Sequence, residues 1–126
     1  MKQKYELEYN LNSSPKVLFT RLSTPEGLAE WFADDVQVDG DIFTFVWDDT
    51  EYRAQLALLR DNRQVKFKWL DTDDPEEKYF EFRLNIDELT GEVALLITDF
   101  TDPDEKDDAT YLWDTQIAEL KKVLGL

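Results

Sequence analysis

The stretch DDATYLWDTQIAELKKVL, residues 107–124, decides the fold. It is the one segment with a sustained helical period. Ala109, Leu112, Trp113, Ile117, Leu120, Val123 and Leu124 recur at steps of three and four, so they form one apolar stripe. Asp114, Thr115, Glu119, Lys121 and Lys122 fall on the opposite side. Glu105, Asp107 and Asp108 crowd its start, and Lys121 and Lys122 sit near its end, which suits the helix dipole. Gly125 follows the last apolar residue, where a left-handed stop is easiest. Nearly everything before it reads as strands, so one helix must cover one sheet.

Working back toward the start, Val93 to Phe100 reads as the last strand, after a turn at Thr90-Gly91. Phe80, Phe82, Leu84 and Ile86 alternate with Glu81, Arg83 and Asn85. Asp71 to Glu77 is an acidic loop containing Pro75. Val65, Phe67 and Trp69 alternate with Gln64, Lys66 and Lys68, after a turn at Asp61-Asn62. Tyr52, Ala54, Leu56 and Leu58 share one side of the strand before that. Ile42 to Trp47 is apolar on both faces, with Phe43, Phe45 and Trp47 on one side. Asp48 to Thr50 turn it, and Asp39-Gly40 joins it to a short strand at Val36 and Val38. Two short helices are marked by Ser14-Pro15 and Thr24-Pro25-Glu26, each an N-cap followed by proline at the first helical position. Gly27 inside the second counts as a mild penalty of roughly 1 kcal/mol against alanine. Tyr5, Leu7, Tyr9 and Leu11 alternate as a first, half-buried strand.

The predicted order is strand, two short helices, six strands and one long helix, with the six strands as an antiparallel meander. A helix of about 17 residues is roughly 25 Å long, enough to lie across several strands. The chain of 126 residues is long enough for one domain, 1–126, with a real core.

Charge and composition narrow the function. Fourteen Lys and Arg stand against 29 Asp and Glu, a net charge of −15. That argues against nucleic acid and anionic membrane surfaces as partners, and permits a basic one. With no Cys and no His, thiol nucleophiles, Ser-His triads and Cys/His zinc sites are excluded. No cofactor or metal is indicated, and no catalytic residue. The first ten residues lack a signal-peptide pattern and no window spans a bilayer, so the expectation is a cytoplasmic protein.

With the elements placed, the chain resembles a START-like domain of the Bet v 1-type helix-grip kind, in the group related to the activator of the heat-shock-protein-90 ATPase. The carrying residues are SPKVLF (14–19), LSTPEGLAEWF (22–32), the Asp39-Gly40 turn, and Leu112-Trp113 with Ile117, Leu120 and Leu124. The resemblance implies an α+β fold in which a curved antiparallel sheet of about six to seven strands grips the C-terminal helix. It also implies a pocket between them, and binding of apolar small molecules or of other proteins. It carries over no catalytic motif.

The candidate ligand-binding residues are the rings of the sheet's inner face, Phe43, Phe45, Trp47, Phe67, Trp69, Phe80 and Phe82. Trp113, Gln116 and Ile117 join them from the helix. These rings either wall a pocket or close it as core. An empty dry cavity of ~300 Å3 would cost roughly 7 kcal/mol at about 24 cal/mol per Å3, rivalling a domain's whole stability of roughly 5–15 kcal/mol. Any cavity is therefore wet, occupied or filled. Gln116 interrupts the helix stripe and needs a partner if buried; Arg53, Arg83, Thr98 and Asp99 are the candidates, the alternative being a stripe-edge position at the solvent boundary. Asp99 is the one acid on an otherwise apolar strand, with Arg53 or Arg83 as its candidate partner. Trp31 and Phe32 either anchor their helix or form an exposed partner patch. The acidic run from Asp71 fails the calcium-loop template, since its sixth and twelfth positions are Glu76 and Phe82. The leading expectation is non-catalytic binding of a hydrophobic small molecule between sheet and helix. The alternative is a chaperone-associated type of protein-interaction module with a filled core.

Overall fold

The computed structural model describes residues 2–70, 72 and 79–126. The elements run β1 (Gln3–Asn10), α1 (Pro15–Ser23), α2 (Pro25–Ala29), β2 (Asp35–Asp39), β3 (Ile42–Trp47), β4 (Thr50–Arg60), β5 (Gln64–Trp69), β6 (Tyr79–Ile86), β7 (Val93–Thr101), a 3-10 turn (Pro103–Glu105) and α3 (Lys106–Leu124). The strands form one curved antiparallel sheet in the order β1-β7-β6-β5-β4-β3-β2. The expected meander is thus β2 to β7, and β1 closes the far side by pairing with β7. Together these elements are the α+β helix-grip fold.

The helix starts follow the capping chemistry. Ser14 Oγ accepts the Val17 N–H at 3.2 Å, and Thr24 Oγ1 accepts the Gly27 N–H at 3.0 Å. Gly27 is more than a mild penalty in a helix. It is buried, and a Cβ there would run into the Thr20 carbonyl oxygen and the Arg21 Cα of α1. The two helices cross so closely that only glycine fits. Trp31 and Phe32, just after α2, are both buried, so they anchor this segment to the sheet.

The β3–β4 turn has two residues, Asp48 and Asp49, with φ of 50° and 62°. Left-handed geometry at both central positions matches the twist of a hairpin. Asp34 steadies it by accepting the Asp48 N–H on Oδ2 at 3.0 Å. The pairing of β4 with β5 shifts register between Leu56 and Leu58, which ends the alternation expected for Tyr52 to Leu58.

Helix α3 presents Trp113 (6% exposed), Ile117 (1%) and Leu120 (0%) to the sheet. It ends at Gly125, whose φ is 76°. Leu112 departs from the expected stripe and is 59% exposed. It sits at the stripe's edge, one residue before Trp113, and the helix rotation that buries Trp113 turns Leu112 outward.

The interior is packed with rings. Phe45, Phe67, Phe80 and Phe82 are fully buried with Leu95, Ile97, Ile117 and Leu120. Phe67 and Phe80 stack at 5.1 Å between centroids, and Phe45 meets Phe67 edge-on at 5.6 Å. Offset and edge-on pairs of this kind add to the stabilisation from area burial alone.

Candidate functional site

Beside the N-terminal half of α3 the packing opens. Two half-open clefts, about 300 and 350 Å3, adjoin there and share Trp47, Trp69 and Asp99. The sheet-side cleft adds Tyr52, Arg53, Thr72 and Phe100. The helix-side cleft adds Phe32, Asp48, Phe80, Leu112, Trp113 and Gln116. Trp47 and Trp69 face inward because they end β3 and β5 on the same face as Phe45 and Phe67. Being open to water, the space escapes the penalty of a dry void.

Of the ten residues singled out from the sequence, Trp47, Trp69, Phe80, Trp113 and Gln116 come together around this opening. Phe43, Phe45, Phe67, Phe82 and Ile117 lie deeper, in the core behind it. The sheet's aromatic face therefore divides: its middle is core and its end is wall. Phe32, Tyr52, Leu112 and Asp48 also line the opening and were not among the ten. Phe32 had a signal, its pairing with Trp31 before a strand. Leu112 carried none, since a stripe residue is read as buried.

One polar cluster lies at the base of the opening. Asp99 stands opposite Tyr5 in the β1–β7 pairing. The Trp113 indole N–H is 3.1 Å from both the Asp99 Oδ2 and the Tyr5 hydroxyl oxygen. Tyr5 donates to Asp99 Oδ2 at 3.3 Å, and the Phe100 amide donates to Asp99 Oδ1 at 2.8 Å. Burial first, and the neighbouring Asp99 charge second, push the Tyr5 pKa well above the ordinary 10 of a phenol. Tyr5 is therefore a proton donor at neutral pH, and three neutral donors hold the carboxylate in place. Asp99 stands among the cleft residues as the odd acid of β7. Arg83 lies elsewhere, near Glu6 at 3.4 Å and Glu81 at 3.8 Å.

Gln116 is partly buried, and its partner is none of the four side chains expected from strand position. Its Nε2 donates to the Phe32 carbonyl at 3.0 Å, and the same oxygen accepts the Trp47 indole N–H at 2.8 Å. A strand-based guess missed this because the acceptor is backbone in the loop after α2. Phe32 itself stacks on Trp113 at 5.7 Å. One residue thus ties α3, β3 and the α2 loop into the cleft wall.

Among the described residues no cluster of three or more acidic side chains is arranged to hold a metal ion. Asp71, Asp73, Asp74, Glu76 and Glu77 lie outside the described residues. No described helix is long and apolar enough to cross a membrane.

A family model described as the START-like superfamily domain matches residues 1–126. The chain belongs to the START-like superfamily. The solution structure of BfR322 from Bacteroides fragilis is 41% identical, with 97% of this chain and 90% of that one covered and a TM-score of 0.70. The Aha1 dimer from Colwellia psychrerythraea is 18% identical, covering 97% and 96%, with a TM-score of 0.79. MLL2253 from Mesorhizobium loti is 19% identical, covering 98% and 97%, with a TM-score of 0.76. The last two similarities are of fold. No curated protein matches the chain by sequence.

Proposed function

We propose that this chain binds a small molecule with an apolar body in the opening beside α3, without catalysis and in the cytoplasm. The observation that supports it is the change in packing along one face. The rings close up completely in the middle of the sheet, then leave a half-open, ring-walled space at its end. Its volume is at the small end of ligand sites, which run from about 300 to 1,000 Å3. That suits a compact ligand and is too small for a whole two-chain lipid. Trp47, Trp69 and Trp113 supply apolar wall, and Asp99 and Gln116 supply polar points to orient the ligand. Asp99 acts as a fixed charge, since its donors restrain it.

A second reading, a protein-interaction module, draws on a different observation. Tyr111 and Leu112 stand exposed on α3 beside the opening while the core behind is filled. Native mass spectrometry of protein purified from its own cell separates the two. A retained small molecule that is lost on Leu112→Arg supports the first reading. A retained protein chain, with no small molecule, supports the second and sinks the first.

A further inference from the structure

We propose that the molecule held beside α3 carries a positive charge: a small amine or quaternary ammonium on an apolar body. This rests on the ligand-binding reading above and adds the sign of the ligand.

The helix-side cleft has two charged side chains in its lining, Asp48 and Asp99, and both are carboxylates. Its remaining wall is mostly aromatic, with Trp47, Trp69 and Trp113 prominent. Ring faces carry the negative end of a quadrupole and attract cations. Walls and fixed charges therefore act in one direction. Arg53 lines only the sheet-side cleft, so a ligand's positive end is directed toward α3.

Asp99 is built to keep its charge in place. The Tyr5 hydroxyl, the Trp113 indole and the Phe100 amide are neutral donors. They fix the carboxylate without cancelling its charge. Gln116 donates its amide N–H to Phe32, and the Oε1 it retains is an acceptor, again suited to a cation. At longer range the net charge of −15 concentrates cations near the surface and repels anions. A fatty acid or other anionic amphiphile would meet two carboxylates and the negative faces of several rings.

The test uses three probes of similar shape: benzyltrimethylammonium, its neutral carbon isostere neopentylbenzene, and phenylacetate. Calorimetry measures affinity, and indole N–H shifts of isotope-labelled protein show whether the cleft is the place. The expected result is a preference for the cation of about tenfold or more over both others, shrinking as salt is raised. Asp99→Asn should remove most of that preference. Should Asp99→Asn fail to fold, Asp48→Asn serves, because asparagine accepts the φ of 50° at that turn; it should lower the preference about two- to threefold. If neopentylbenzene or phenylacetate binds the cleft as tightly as the cation, the charge proposal is overturned and the ligand-binding reading stands. If no probe of any charge moves the indoles of Trp47, Trp69 and Trp113, both are overturned.

Discussion

Gly27 shows how much one atom matters at the α1–α2 crossing. Helix propensity alone would favour alanine there by about 1 kcal/mol. The backbone of α1 occupies the space a Cβ needs, and backbone cannot swing aside. Gly27→Ala should therefore destabilise the fold by about 2 kcal/mol net, read from urea unfolding midpoints; equal or greater stability would refute the close crossing. The sequence showed this glycine only as a helix-interior residue, because periodicity carries no information on how two short helices meet. Asp99 was more legible, as the odd acid on an apolar strand. Its partners were not, since Tyr5 reaches it from 94 positions away. The Tyr5–Asp99 pair also sets an alkaline limit. Below about pH 10 the tyrosine is protonated both folded and unfolded, and its contribution is complete. Above that, the unfolded chain ionises first, because the folded-state pKa is raised, so stability falls as pH rises. Tyr9, raised mainly by burial and then by its bond to Asp114, adds to the fall. Unfolding midpoints measured from about pH 8 to 11.5 should decline above about 10, and less steeply in Tyr5→Phe.

Among the elements, α3 and the strand order were the most legible. A 3.6-residue period and a two-residue alternation are strong signals, and the caps at Ser14, Thr24 and Gly125 fix where helices begin and end. The stripe's rotational setting was less legible. Leu112 and Trp113 are neighbours in sequence, and which one faces the sheet depends on tertiary packing. A paired substitution tests the setting. Ile117→Ala should cost about 2–5 kcal/mol, while Leu112→Ala should stay within about 0.5 kcal/mol; similar losses for both would mean that Leu112 is buried. The β3–β4 turn was placed correctly by its acids, but its geometry came only with the backbone. Asp49 holds a φ of 62°, which glycine adopts without strain. Asp49→Gly should raise the thermal midpoint, corresponding to about 0.5–1 kcal/mol, and a lower midpoint would contradict the left-handed turn.

For the whole molecule, the open matter in the sequence was whether the aromatic face encloses a void or fills it. Alternation placed Phe43, Phe45 and Phe67 on that face, but it does not say how far rings from neighbouring strands reach toward one another. They meet in the middle and part at the end, leaving Trp47 and Trp69 as wall. Net charge was readable at once, and its local arrangement at Asp48 and Asp99 was not. The central claim is that binding belongs to the open end of the sheet rather than to its core. The most direct measurement compares indole N–H spectra of protein purified from its own cell before and after bound small molecules are stripped. Stripping is expected to shift the signals of Trp47, Trp69 and Trp113 and to leave that of Trp31, bonded to the Arg21 carbonyl, in place. Identical spectra, or a shift confined to Trp31, would contradict it.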